Sequence, residues 1–138
     1  MTFTDGAILY AADLEAGLGD TGWVTSGIAI AAASGWTVNS YRLRRVGSRV
    51  TGVINVTNTA AITAGSDGNI TDQDICTPPT AWRNGSGYSA PVRIDQAAVS
   101  TWLGRANSGS AIKITNGITG ATLPAGTACQ VFIDYYND

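Results

Sequence analysis

From Gly22 to the end of the chain, apolar and polar residues alternate with a period of two in short blocks. The blocks run four to ten residues, are rich in Val, Ile, Thr, Trp and Tyr, and are cut by Gly, Ser, Asn and Asp. That pattern is the signature of half-buried antiparallel strands joined by tight turns. Candidate strands fall at 22–25, 28–32, 37–46, 49–58, 69–76, 90–95, 98–103, 110–115 and 127–136. So many short strands in 138 residues predict one all-β domain, an antiparallel β-sandwich of jelly-roll-like form. Charged residues are only 13% of the chain, so its solubility must rest on Ser, Thr, Asn and Gly.

Three arginines stand within four positions in the stretch GWTVNSYRLRRVG, beside Trp36 and Tyr41. Basic residues among aromatics can mark nucleic-acid binding, but the net charge of −2 supplies no field to attract a polyanion. Alternation explains the cluster. Tyr41 and Leu43 share one face of a strand, and Arg42 and Arg44 share the other. Gly47 and Ser48 then make a tight turn. The returning strand places Val50, Ile54 and Val56 inward, with Val53 and Asn55 outward. The last strand repeats this logic. Cys129, Val131, Ile133 and Tyr135 alternate with Gln130, Phe132, Asp134 and Tyr136. Val53, Phe132 and Tyr136 are therefore large apolar groups on nominally outer faces, which is the pattern of a subunit contact.

The residue inventory narrows the chemistry. The chain has no histidine, which removes Ser-His-Asp and Cys-His designs and every His-ligated metal site. No phosphate-binding glycine loop is present. Asp72, Asp74, Asp95 and Asp134 read as turn and strand-end groups rather than paired catalytic carboxylates. The expectation is a protein that binds and does not turn over substrate, without metal or cofactor. Asp67, Asn69, Asp72 and Asp74 lie close enough to raise a calcium site, but the spacing is not that of an EF-hand and SDGN reads as an acidic turn. Cys76 and Cys129 read as small buried hydrophobes with reduced thiols. No apolar run approaches the roughly 18 residues of a membrane-spanning helix, so no membrane insertion is expected.

In TPPTAWRNGSGYS, two prolines break strand pairing ahead of a Gly/Ser-rich loop. Trp82, Arg83 and Tyr88 on that loop are the candidates for contact with a sugar, with flat rings against its C–H faces and Arg as donor. For Trp82 itself the first reading is that it anchors the loop to the core, with ligand contact as the alternative.

The N-terminus is different in kind. Leu14 and Leu18 are spaced at i, i+4, with Leu9 and several alanines before and between them, and Gly17 and Gly19 as stops. This predicts one short helix over about 10–18, too short to be stable alone and in need of a partner surface. The opening has no basic, apolar leader. The expectation is synthesis and folding in a cytoplasm.

The stretch DTGWVTSGIAIAAASGWTVNSYRLRRVGSRVTGVINV resembles the C-terminal knob domains of phage tail-fibre and minor tail proteins. DICTPPTAWR, VRIDQAAVSTWLG and GSAIKITNGITGATLPAG are similar to later segments of that family, so the likeness runs from Asp20 to Tyr136. Asn84 follows Arg83 where the family often has proline, and no collagen-like or coiled-coil shaft precedes the knob. The resemblance implies a compact virion-surface structural protein, a capsid-decoration, head-fibre or small tail protein. Residues 1–19 would be a docking segment, with Leu9, Leu14 and Leu18 on the major capsid or tail protein, and residues 20–138 the knob. It further implies a homotrimer meeting through Val53, Phe132 and Tyr136, and host-glycan binding for some members. The alternative expectation is a free-standing, lectin-like carbohydrate-binding module.

Overall fold

A computed structural model describes residues 19–85, 87–96 and 101–137. The N-terminal helix expected over 10–18, with Leu9, Leu14 and Leu18, lies outside the described residues. The described residues are almost all β, as the alternation predicts. The ten strands are β1 (Ala31–Ala32), β2 (Trp36–Val46), β3 (Arg49–Asn58), β4 (Ile62–Thr63), β5 (Asn69–Thr77), β6 (Ala90–Gln96), β7 (Thr101–Ala106), β8 (Ile112–Asn116), β9 (Thr122–Leu123) and β10 (Ala128–Tyr136). A 3-10 turn occupies Thr80–Trp82. Eight strands form one antiparallel sheet in the order β1-β5-β8-β7-β6-β10-β3-β2, and β4 and β9 form a small second sheet.

The large sheet curls until its two ends nearly meet. The seam is crossed by the chain between Val24 and Ala32. At one end of this segment Val24 exchanges backbone hydrogen bonds with Leu43 of β2, at 2.7 and 3.0 Å. At the other end Ala31 and Ala32 pair with Thr77 and Cys76 of β5. Between them Ile28 and Ile30 pack against the core, and the Ile28 N–H donates to the Tyr41 hydroxyl at 2.7 Å. The open edge of β2 is thus covered near Leu43 and Arg45, which removes a template for edge-to-edge aggregation.

All inward side chains fall into a single core. It contains Leu43, Val50, Ile54 and Val56 from the β2–β3 hairpin, Val131, Ile133 and Tyr135 from β10, and Ile94, Trp102, Ile112 and Ile114 from the strands beyond. The hairpin register is the one read from the sequence, with Val46 opposite Arg49 across a two-residue turn at Gly47. The seventh strand differs. It was expected at 98–103 and is described over Thr101–Ala106, because Gly104 is not a turn. Gly104 lies mid-strand, where an added Cβ would stand 2.0 Å from the Lys113 carbonyl oxygen. Here glycine permits a close backbone approach, which sequence punctuation cannot distinguish from a stop.

The two ends of the barrel are plugged. One plug is the β4–β9 pair, whose Ile62 and Leu123 are buried in the core. It is tied down by Asn58, which is fully buried. Its side-chain amide donates to the carbonyls of Ala60 and Pro124 at 2.8 Å each, and its carbonyl accepts the Thr127 N–H at 2.9 Å. Removing it leaves the Ala60 and Pro124 carbonyls and the Thr127 N–H, on the two loops that flank the pair, without this partner. Asn58→Ala is expected to lower unfolding free energy by about 2–3 kcal/mol in a urea titration, in line with the cost of leaving buried polar groups unpaired. The other plug is the 78–88 loop, held by the Tyr135 hydroxyl donating to the Trp82 carbonyl at 2.7 Å.

Both cysteines are buried in the core, as expected, and form no disulfide. Burial pushes the Cys76 thiol up to about 12 and the Cys129 thiol up to about 11. In the unfolded chain a thiol ionises near pH 8.5, so above that pH the unfolded state holds fewer protons than the folded one. Stability should therefore fall as pH rises from about 8.5 toward the folded values. Melting curves between pH 8 and 10.5 check this, with a shallower slope expected for a Cys76→Ala, Cys129→Ala double variant. Ellman's reagent should find neither thiol until the protein is denatured.

Candidate functional site

The outer face of the four strands β6, β10, β3 and β2 carries most of the unusual surface chemistry. Register places its side chains in rows. The first row reads Arg93, Phe132, Val53, Arg42 across the four strands. Arg93 lies over the Phe132 ring at 4.4 Å and also pairs with Asp95 at 3.1 Å. At the other end of the row Arg42 lies over the Trp23 ring at 4.7 Å. Two cation–π contacts thus bracket Val53 and Phe132, which are direct cross-strand neighbours and are half-buried. The odd outward valine of the sequence sits between those contacts in the row. Leu103 extends the row on β7 opposite Arg93 and is exposed.

The next two rows contain ion pairs. Arg44 forks onto Asp20, with Nε to Oδ1 at 2.9 Å and Nη2 to Oδ2. The Asp20 side chain is only 6% exposed. The guanidinium hydrogen bonds, aided by the Gly22 N–H, hold its carboxyl below the usual carboxylate range. Arg49 forks onto Asp134 with bonds of 3.0 and 2.8 Å and lowers that carboxyl in the same way, on a more exposed part of the sheet. Bidentate geometry of this kind fixes both partners in direction.

Around these pairs lies a shallow depression of about 460 Å³. Its lining is Trp23, Arg44, Val46, Arg49, Thr51 and Tyr136. Trp23 is 48% exposed and Tyr136 is 49% exposed, so both rings face solvent at its rim. Tyr136 is positioned by its backbone: its N–H donates to the Tyr88 hydroxyl at 2.8 Å, and that hydroxyl donates to the Tyr136 carbonyl at 3.2 Å. A second depression, of about 340 Å³, lies over Ala33, Asp72, Asp74 and Lys113 and is lined mainly by polar residues.

The sequence-predicted residues distribute unevenly. Val53 and Phe132 meet, while Tyr136 stands two rows away beside Arg49. Trp82 is half-buried against the core, and Arg45 lies near its ring at 5.9 Å with a 2.8 Å hydrogen bond to the Ala81 carbonyl. Arg83 spends its guanidinium on the Pro78 and Gly109 carbonyls, at 3.0 Å each. Of the three loop residues only Tyr88 presents an exposed ring. In the acidic stretch, Asp67 accepts the Asn69 N–H at 2.9 Å as a turn former, and Asp74 pairs with Lys113 at 3.3 Å. Among the described residues no three carboxylates and thiols gather as metal ligands.

Sequence reasoning missed Trp23, Arg44 with Asp20, and Arg49 with Asp134 as neighbours. The pairs are separated by 24 and 85 positions, so no local spacing reveals them. The register of β3 with β10 was the available signal, since it brings Arg49 opposite Tyr136 and next to Asp134. Comparison of the chain with protein-family models, curated proteins and solved structures found no match.

Proposed function

We propose that this chain is a bacteriophage virion surface protein, a non-enzymatic structural component that self-associates as a homotrimer. Residues 1–19 attach it to the major capsid or tail protein through Leu9, Leu14 and Leu18, and the β-domain faces outward. The observation that carries the self-association is the half-exposed row Arg42, Val53, Phe132, Arg93 on a rigid sheet. Aromatic and arginine side chains are the residues enriched at subunit contacts. The resemblance of the segments between Asp20 and Tyr136 to phage knob domains supplies the virion setting.

Immunogold labelling of the parent particle tests the setting. Gold over the head means capsid decoration, and gold on the tail means a tail or fibre role. Absence of label from every particle overturns the reading. Light scattering tests the trimer: the full chain should give three times the protomer mass, and Phe132→Ser should shift it toward monomer. The second reading is a free-standing lectin-like module. It is favoured by the two exposed rings of Trp23 and Tyr136, and it predicts glycan affinity without particle attachment. The 82–88 loop contributes to glycan contact through Tyr88 alone in this reading, since Trp82 and Arg83 are committed to holding the loop.

A further inference from the structure

The geometry points to a saccharide-binding site in the depression between Trp23 and Tyr136, taking a neutral oligosaccharide. The inference rests on the lectin-like reading above; the site borders the Val53–Phe132 row through Arg42 and the 82–88 loop through Tyr88, and it does not depend on where the protein resides.

Three features of the depression select this ligand class. The first is its pair of rings. Trp23 and Tyr136 are among the few large apolar side chains left exposed, and they lie at the rim of one concavity. The Arg42 guanidinium lies over the Trp23 ring, and the Tyr136 backbone is tied to the Tyr88 hydroxyl. Aromatic faces offer the apolar C–H side of a pyranose a surface, with few side-chain rotors to immobilise.

The second feature is the floor. Arg44 and Arg49 each carry their own carboxylate, so the floor is charge-balanced yet dense in donors and acceptors. Together with the Thr51 hydroxyl, it matches the vicinal hydroxyls of a sugar, each of which both donates and accepts. An anionic ligand would have to compete with Asp20 and Asp134 for guanidiniums already engaged bidentately. A second copy of the chain would have to desolvate two ion pairs at once, at a cost that their mutual attraction need not repay. The third feature is size: about 460 Å³ falls in the range of small-molecule sites and leaves the mouth open for a longer chain.

The test is binding of the full-length protein to a microarray of neutral and uronic- or sialic-acid-bearing oligosaccharides, followed by calorimetric titration with the strongest neutral probe. Trp23→Ala and Tyr136→Ala should each weaken that titration by roughly tenfold or more, the scale of one lost ring contact. Tyr136→Phe keeps the ring and should bind as the parent does. Ile118→Ser, on an exposed loop residue outside the depression, should also leave binding unchanged. Both rings are exposed, and unchanged melting temperatures will confirm that the alanine variants fold. No neutral probe bound at millimolar concentration overturns the proposal, as does binding that survives both alanine substitutions. Preference for acidic probes overturns it too, and a change of oligomeric mass in Trp23→Ala would assign the depression to a second copy instead. Binding that follows these residues while no gold labels the particle would sink the virion reading and leave this site standing.

Discussion

Trp102→Ala should cost about 3–5 kcal/mol of unfolding free energy, the range measured for deleting a fully buried large aromatic side chain. Trp102 is completely buried on β7 and lies in the inward row with Ile94, Val131, Ile54 and Tyr41. Gly117 packs flat on its ring: a Cβ added there would stand 2.3 Å from a ring carbon. The neighbours are therefore built to the indole's shape, and they belong to different strands of a closed sheet. They cannot collapse into the vacated volume without breaking ladders, so a cavity remains and its cost adds to the lost transfer energy. In a domain whose total stability is about 5–15 kcal/mol, such a loss approaches unfolding. The thermal midpoint should drop by about 10–20 °C. Trp102→Phe should retain most of the contact and fall by less. A drop under about 1 kcal/mol for the alanine variant would mean that the barrel interior is loosely packed.

The second large effect is expected at Gly52→Val. Gly52 sits in the middle of β3 with φ of 144°, a backbone region that side-chain-bearing residues rarely adopt. Its cross-strand partner is Leu43, and an added Cβ would stand 2.1 Å from the Arg42 carbonyl oxygen and 2.9 Å from the Leu43 Cα. Both obstacles are backbone, so no rotamer change relieves them. The hairpin would have to splay, which would disturb Leu43 and Val50, both fully buried, and the rows carrying Arg42, Val53 and Arg44 outside. A loss of about 3 kcal/mol or more is expected, from strain and lost packing together, read from the midpoint of urea unfolding. Gly52→Ala meets the same Cβ clash and should be similarly destabilised. By contrast, Gly87→Ala would meet nothing within 4 Å and should cost only the strain of its positive φ.

Much of the architecture was legible from period and punctuation. The β2–β3 hairpin was expected at 37–46 and 49–58 and is found at Trp36–Val46 and Arg49–Asn58. Its inward set of Leu43, Val50, Ile54 and Val56 is wholly buried. The last strand likewise buries Cys129, Val131, Ile133 and Tyr135. These assignments succeed because one face of each strand is buried, and a register slip of one would turn the whole apolar set to solvent. The paired strands β4 and β9 were not expected. They are two residues each, too short for alternation to register, and they exist because Asn58 and the barrel end hold them. The β7 position was misjudged at Gly104, where a glycine that admits a neighbouring backbone looked like the end of a strand.

The candidate site divides in the same way. Sequence alone identified Val53, Phe132 and Tyr136 as outward apolar residues, because alternation assigns faces without knowledge of the fold. It also excluded histidine-dependent hydrolase designs, since the chain has no histidine. Only the tertiary structure decided which of those residues share a surface. Closure of the barrel draws the segment around Asp20 and Trp23 along the edge of β2, and it brings Asp134 beside Arg49 from 85 positions away. Strand order and closure are set by long-range packing, which leaves no local periodic trace in the chain. The same closure turned Trp82 and Arg83 from loop candidates into the fastenings of a barrel end.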